Sequence, residues 1–217
     1  MSYGYLDTAI TPSVRAVQAE MGSARIWEEF THERAFDSFT RHEMDFIAAR
    51  DSFYMATVSE TGWPYVQHRG GPAGFLTVLD ARTLAFADYR GNRQYISVGN
   101  ARASARVALI LMDYVNRVRL KIYATVEFLP AEPNTALAEA VRRPGYRARP
   151  ERIVLLHLVA FDWNCPQHIT PRYTEAEVIE TMRGVRERLI SLEVENVRLR
   201  EQLSQTASDA RPEGGDA

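Results

Sequence analysis

The sequence has a single cysteine, Cys165, among its 217 residues. One thiol excludes an intramolecular disulfide framework, and without a second cysteine for a Cys-x-x-Cys pair it is best interpreted as a packed, unreactive side chain. The five histidines show no His-x-x-x-His spacing and join no acidic cluster, so no metal site is predicted. No apolar run approaches the ~18 residues of a membrane span, and no basic and apolar leader opens the chain. We therefore expect a cytoplasmic protein with no membrane partner.

An excess of charge is also missing. The 26 basic and 28 acidic residues leave a net charge of −2, which offers no electrostatic footprint for nucleic acid. Five arginines do crowd one segment, but only one tyrosine, Tyr146, stands among them, and nucleic-acid sites normally interleave more aromatic side chains. No nucleic-acid partner is predicted, and the segment is expected to be a solvated loop or to face an acidic partner. Its arginines are Arg142, Arg143, Arg147, Arg149 and Arg152.

The periodicity of the apolar residues divides the chain. Before residue 50 it is helical, with a helix start at Thr11-Pro12 and a capping box from Thr40 to Glu43. From Phe53 onward a period of two predicts strands over residues 53–59, 64–69, 75–79, 83–87, 106–113, 118–128 and 153–162, with a helix over 133–142. We expect a mainly β (α+β) fold, a small antiparallel β-barrel with flanking helices and a C-terminal coiled-coil helix.

The stretch from Asp88 to Asn100 follows the fourth predicted strand and leads into a segment with helical spacing, residues 92–98. Arg90 and Arg93 bracket a Gly-Asn pair, residue types that tolerate unusual backbone angles, where the free amides of a helix N-terminus would point outward. This pattern predicts an anion site, most simply a phosphate site. A solvated Arg-Gly-Asn turn is the alternative, because the motif lacks the spacing of a P-loop or a dinucleotide fingerprint.

The last helix, predicted over residues 174–205, carries a sustained heptad repeat. Its a positions are Met182, Leu189, Asn196 and Leu203, and its d positions are Val178, Val185, Leu192 and Leu199. In a parallel two-stranded coil the g-to-e′ pairs would be Arg188 with Glu193 and Glu195 with Arg200, opposite in sign, and one buried Asn sets the register and favours a dimer. The alternative is an amphipathic helix that lies on its own domain.

These patterns predict four parts: an N-terminal helical arm over residues 1–50, the barrel over 51–173, a dimerisation helix over 174–205 and a disordered tail over 206–217.

Several strings resemble the pyridoxamine 5′-phosphate oxidase-like family of FMN-binding split barrels. They are Trp-Pro-Tyr-Val-Gln-His-Arg-Gly-Gly in Trp63–Gly71 and Arg-Gly-Asn-Arg-Gln-Tyr-Ile-Ser in Asp88–Ser97, supported by Asp51–Val58 and Arg119–Glu127. These strings follow one another in the family's usual order, and the expected barrel that contains them covers roughly half of the chain. The two strings are similar, more narrowly, to a branch described only as predicted flavin-nucleotide-binding proteins.

The resemblance implies that the expected barrel is a split β-barrel, with an FMN cofactor held at the interface of a homodimer. By position it assigns Val66, Gln67, His68 and Arg69 to the flavin ring. It assigns Arg90, Asn92, Arg93 and Gln94 to the phosphate. It implies that Arg119, with Lys121 on the same face, reaches the site from the partner subunit. Further candidates after the last strand are Trp163, Gln167 and His168.

The resemblance also has a gap. The Arg-x-His motif with which the oxidase holds its substrate phosphate has no counterpart, so oxidation of pyridoxamine phosphate itself is not expected. The leading hypothesis is an FMN-dependent oxidoreductase acting on another small molecule, for which the sequence identifies no catalytic residue. The alternative is a non-catalytic protein that binds flavin, haem or a deazaflavin for sensing, storage or assembly.

Overall fold

The computed structural model describes residues 4–28, 36–148, 150–164 and 166–209. Its strands are β1 (Ser52–Val58), β2 (Pro64–Gly70), β3 (Thr77–Asp80), β4 (Thr83–Tyr89), β5 (Arg106–Asp113), β6 (Val118–Pro130) and β7 (Pro150–Asn164). Within the described ranges they form one seven-stranded antiparallel sheet in the order β2-β1-β5-β6-β7-β4-β3. The strands fall where the period of two predicts them.

The helices are α1 (Gly4–Ala9), α2 (Pro12–Glu20), α3 (Ala24–Glu28), α4 (Arg41–Ala48), α5 (Ile96–Ala103), α6 (Thr135–Ala140) and α7 (Glu175–Asp209). The chain divides into two compact units, Met1–Pro171 and Arg172–Ala217. No helix in the described part of the chain combines the length and the apolar content that a membrane crossing needs.

The sheet is curved so that β1, in its first hairpin, packs against β4. Phe53 in β1 packs against Phe86 in β4 with ring centroids 5.4 Å apart, and Phe75 stacks on Phe53 at 5.6 Å. All three side chains are almost fully buried, and each contributes roughly 1.5–3 kcal/mol of transfer free energy. The predicted mainly β split barrel with flanking helices is therefore confirmed.

Glu43 carries the predicted capping box of α4. Its Oε2 accepts hydrogen bonds from the Thr40 N–H at 2.9 Å and from the Thr40 hydroxyl at 2.7 Å. Its Oε1 accepts a third from Trp163 Nε1 at 2.9 Å. One buried carboxylate thus both starts α4 and holds that helix to the end of β7.

Two helix predictions need correction. The helix predicted over residues 92–98 is wrong, because Arg93 and Tyr95 have φ values of 63° and 53°, which a right-handed helix does not admit. α5 begins only at Ile96, so the basic turn is a loop. The last helix continues beyond residue 205 to Asp209. The rest of the predicted tail, from residue 210, and Cys165 lie outside the described residues.

Candidate functional site

A cavity of about 220 Å³ opens where β2, the end of β4 and the start of β7 meet the loop before α5. β2 contributes Tyr65, Gln67 and Arg69, which share one face because alternate residues of a strand point the same way. The loop and the first turn of α5 contribute residues 91–98, and β7 contributes Glu151 and Arg152. The cavity therefore joins the predicted basic turn to the first hairpin.

Asp88, at the end of β4, organises the wall of this cavity. Its Oδ1 accepts a hydrogen bond from Arg69 Nη1 at 2.8 Å, and its Oδ2 accepts from Arg152 Nε at 3.0 Å and Nη2 at 2.7 Å. Asp88 itself is only 4% exposed. We call these three residues the Asp88 clamp. One carboxylate between two guanidinium groups fixes both arginines, and the three side chains together keep a net charge of +1.

Arg69 has unused hydrogen-bonding capacity in this wall. Its Nε is buried and has no partner among the described residues. A buried N–H without an acceptor costs about 1–3 kcal/mol.

The loop before α5 is held in an unusual conformation. Asn92 Oδ1 accepts a hydrogen bond from the Gln94 N–H at 3.1 Å, which forms an Asx turn, and Asn92 Nδ2 donates to Gln94 Oε1 at 3.1 Å. The left-handed residues here are Arg93 and Tyr95, and not the Gly-Asn pair from which the sequence predicted unusual angles. Left-handed non-glycine residues cost of order 1–3 kcal/mol each and cluster at functional sites.

Polar side chains anchor α5 so that its first turn faces the cavity. Gln67 Oε1 accepts a hydrogen bond from the buried Ser97 hydroxyl at 3.1 Å, which ties β2 to the first turn. Asn100 Nδ2 donates to Thr57 Oγ1 at 3.0 Å in the interior. The free amides of this turn therefore add to the positive potential of the cavity.

The charges around the cavity do not balance. Glu151 Oε1 lies 3.7 Å from Arg90 Nε, and its Oε2 lies 3.4 Å from Arg152 Nη2 and accepts a hydrogen bond from the Tyr95 hydroxyl at 3.3 Å. Arg93 also lines the cavity. Four arginines thus face two carboxylates, Glu151 and the carboxylate of the clamp. A phosphate monoester, which carries about −1.5 to −2 at pH 7, would neutralise the surplus.

The sequence that builds this site matches a known family. Residues 39–160, more than half of the chain, match the family model for pyridoxamine 5′-phosphate oxidase. The chain belongs to the pyridoxamine 5′-phosphate oxidase family. The matched segment runs from the residue before the capping box of α4 into β7, and so includes the Asp88 clamp. No curated protein sequence matches the chain.

Solved structures similar to this family member include three that cover 62–70% of this chain. HupZ of Group A Streptococcus is 15% identical over 62% of this chain and 100% of its own, with a TM-score of 0.45. A Clostridium acetobutylicum protein related to general stress protein 26 of B. subtilis is 12% identical over 63% of this chain and 94% of its own (TM-score 0.43). An FMN-binding protein from Syntrophomonas wolfei is 12% identical over 70% of this chain and 95% of its own (TM-score 0.44).

Six of the family-derived candidates come together at the cavity. Arg90 stands beside it through its contact with Glu151. The other five are lining residues, namely Gln67, Arg69, Asn92, Arg93 and Gln94.

Four other candidates lie on the opposite face of the sheet. Val66 and His68 alternate with the cavity residues of β2 and are exposed, with His68 edge-on to Tyr54 at 5.5 Å. The strand register sets His68, Tyr54, Ile110 and Lys121 in one row across β2, β1, β5 and β6. We call this side the outer face, and Arg119 lies on it two residues from Lys121.

Lys121 does not stand as an uncompensated cation on the outer face. Its Nζ lies 2.6 Å from Asp162 Oδ2 and 4.5 Å from the centre of the Tyr5 ring. The charge of Lys121 is therefore compensated within its own chain. Arg119 Nε, in contrast, is buried without a hydrogen-bond partner in the described part of the chain.

The candidates that follow β7 are separate from the cavity. Trp163 packs against Phe46 with ring centroids 4.8 Å apart and donates to Glu43. Gln167 and His168 are exposed, and His168 has a φ of 63°. Within one chain none of these three lines the cavity described above.

Residues that the sequence analysis did not assign complete the site. Asp88 bounded the predicted anion stretch but received no role, and Arg152 was expected in a solvated loop. That expectation is wrong for Arg152, which pairs with Asp88, and for Arg143, which donates to the Gly74 carbonyl oxygen and to Thr77 Oγ1 at 2.7 Å. An inward-facing carboxylate at the end of an apolar strand was the available signal, because a buried acid needs a cation.

Proposed function

We propose that this family member binds FMN, with the phosphate in the cavity beside the Asp88 clamp. The observation that carries the proposal is the clamp itself: a buried carboxylate holds two arginines at a cavity that still has a surplus of positive charge. Asn92, Arg93 and Gln94 add donors from the loop. A preorganised set of this kind favours a phosphate over a monovalent anion because each added negative charge meets a fixed donor.

The size of the cavity supports a site for part of the cofactor. Its volume of about 220 Å³ is below the roughly 300–1,000 Å³ of sites that enclose a whole small molecule. In this proposal it takes the phosphate and the start of the ribityl chain. The ring lies along β2, the edge strand of the sheet, whose outward N–H and C=O groups have no neighbouring strand in the described chain.

The proposed activity is a flavin-dependent oxidation or reduction of a small molecule. The bound flavin would supply electron transfer, while this chain orients it and supplies charge. Arg69 is committed to Asp88, so it acts at the phosphate end. His68, exposed on the other side of β2, is therefore a better candidate than Arg69 to stabilise negative charge on the reduced ring.

The outer face is the proposed contact with a second copy. Its edge carries exposed apolar side chains, Tyr54, Val58, Trp63 and Val66, which are 38–76% exposed. A patch of this kind favours association. The partner's surface would then bring Arg119, Lys121, Trp163, Gln167 and His168 towards the flavin, and an acceptor there would satisfy Arg119 Nε. A monomer by light scattering would contradict this part of the proposal.

Binding of FMN compared with riboflavin, which lacks the phosphate, tests the cofactor assignment. The Arg90→Ala, Arg93→Ala double variant should weaken FMN binding at least ~10-fold and leave riboflavin binding unchanged, because it removes charge-assisted contacts to the phosphate only. Arg106→Ala, which removes an exposed arginine of β5, is the matched control. Equal loss of both ligands would move the phosphate elsewhere, and a colourless protein that also fails to bind added FMN would remove the flavin assignment.

The second candidate is a non-catalytic protein that binds flavin or a deazaflavin. The same cavity favours it, because a phosphate site would suit FMN and a phosphorylated deazaflavin alike, and the lining holds no group with an evident catalytic role. Haem is less favoured, since the residues that line the cavity include no histidine to act as an axial ligand. Reduction of bound FMN by NAD(P)H, or rapid reoxidation by O₂, would support the enzyme, whereas a flavin inert to every donor would support the binder.

A further inference from the structure

α7 is one continuous helix of 35 residues, about 52 Å long at 1.5 Å per residue. Its start is capped, since Glu177 Oε2 accepts hydrogen bonds from the Thr174 N–H at 2.7 Å and from the Thr174 hydroxyl at 2.8 Å. Every side chain described from Glu175 to Thr206 is exposed. Helices in water owe most of their stability to the packing of an apolar face, so a helix of this length calls for a partner.

The side of α7 that needs covering is a straight apolar stripe. The a and d positions recur at alternating spacings of four and three residues, which is the period of a left-handed coiled coil. Their apolar members are 44–70% exposed, and they are Val178, Met182, Val185, Leu189, Leu192, Leu199 and Leu203. A second α7 presents the same stripe and would cover it from end to end.

Charged residues beside the stripe identify the partner more closely. Arg188 has no acid three or four residues away on its own helix, and Glu193 has no base at those spacings. Neither forms an ion pair within the described chain. In a parallel, in-register pair of helices the g position of one faces the e′ position of the other. Arg188 then meets the partner's Glu193, and Glu195 meets Arg200 in the same way.

We propose that α7 forms a parallel, in-register, two-stranded coiled coil with the α7 of a second copy of this chain. Asn196, the one polar residue among the central a positions, meets its own copy in that arrangement, where the two amides hydrogen-bond and specify both the register and two strands. This inference does not depend on flavin binding.

A tetramer is the competing assembly. Ile190, Val194 and Val197 occupy b and f positions, are 55–66% exposed, and would stay exposed in a two-stranded coil. A four-stranded coil would bury more of the surface beside the a and d stripe, including part of the b positions. Asn196 opposes that outcome, because a buried amide at an a position favours two strands.

Site-directed disulfide formation in the full-length chain tests the arrangement directly. The variant is Leu199→Cys in a Cys165→Ser background, which places a single thiol at a d position near the end of the helix. At this position only a parallel, in-register pair of helices brings the two Cα atoms within the roughly 7 Å that a disulfide allows. Val197→Cys, two residues away at an outward b position, is the control. We expect efficient cross-linking of the first variant and little of the second. Equal or absent cross-linking of both, repeated with Val185→Cys at another d position, would overturn the proposal.

Charge reversal in the Leu199→Cys background tests the register through the same readout. Arg188→Glu and Glu193→Arg should each lower the effective concentration of the paired thiols about tenfold, because each places like charges opposite in both symmetric pairs. The double variant should restore it to within about threefold. Failure of that rescue, or a tetrameric mass by light scattering, would contradict a parallel two-stranded coil.

Discussion

Asp88→Asn is the sharpest test of the clamp that builds the cavity. The side chain of Asp88 is 5% exposed, and those of Arg69 and Arg152 are 15% and 23% exposed. Asn keeps the shape but loses the charge, so the half-buried Arg69 loses its counter-ion and Arg152 keeps only Glu151, 3.4 Å away. Removal of one partner from a buried ion pair costs about 3–5 kcal/mol. For a protein of this size we expect the melting temperature to fall by roughly 6–12 °C, taking ~3 kcal/mol at 2–4 °C per kcal/mol.

The same substitution also changes how the protein responds to ligand. Loss of Asp88 raises the positive surplus of the cavity by one charge, so a phosphate should stabilise the variant more than it stabilises the wild-type protein. Differential scanning fluorimetry with and without FMN, and with riboflavin, measures both effects. Asp45→Asn is the control, because it removes an exposed Arg41–Asp45 pair whose contribution should be below about 0.5 kcal/mol. An Asp88→Asn variant as stable as this control would refute the role of the clamp.

Two further substitutions test how the barrel is held together. Asp113, whose Oδ2 lies 3.0 Å from Arg50 Nη2, has a lowered pKa: burial alone would raise it, but hydrogen bonds from the following turn and the charge of Arg50 outweigh burial. A lowered pKa stabilises the fold above the unfolded-state pKa of ~4. Asp113→Asn should therefore lower the free energy of unfolding, measured in urea, by about 1.5–3 kcal/mol near pH 7 and should not change it below the folded-state pKa. A difference between the two proteins that stays constant into acid would contradict this. Glu43→Gln should lower the free energy of unfolding by about 1–3 kcal/mol, because it weakens the cap of α4. Glu60→Gln, at an exposed turn residue, is the control and should not lower it. Equal effects of the two substitutions would show that the buried cap is not needed.

The functional proposals and the coiled coil rest on different parts of the chain. The cavity is formed by residues of the barrel unit, and the proposed coil is formed by α7 alone. Loss of FMN binding in the Arg90, Arg93 double variant should therefore leave disulfide formation at position 199 intact. The two experiments can fail separately, and each failure points to one unit.

The sequence by itself determined the strands of the barrel. A period of two over residues 106–113 and 118–128 marks β5 and β6 because alternate residues of a strand face the core, and short turns between such runs restrict them to hairpins. The capping box of α4 was equally accessible, because Thr40 and Glu43 are three residues apart and their interaction is local. The composition of the basic turn led to the prediction of an anion site, and the motifs indicated the family.

Only the tertiary structure decided which charges meet. Arg69 and Arg152 lie 19 and 64 residues from Asp88, and nothing local indicates that curling of the sheet brings all three to one carboxylate. It also separated β2 into a cavity face and an outer face, so that neighbours in one motif lie on opposite sides of the sheet. The start of α5 depended on the Asx turn at Asn92, whose side chain competes with the helix for backbone hydrogen bonds. Local periodicity determines where a strand runs, whereas long-range closure of the barrel determines what its side chains reach.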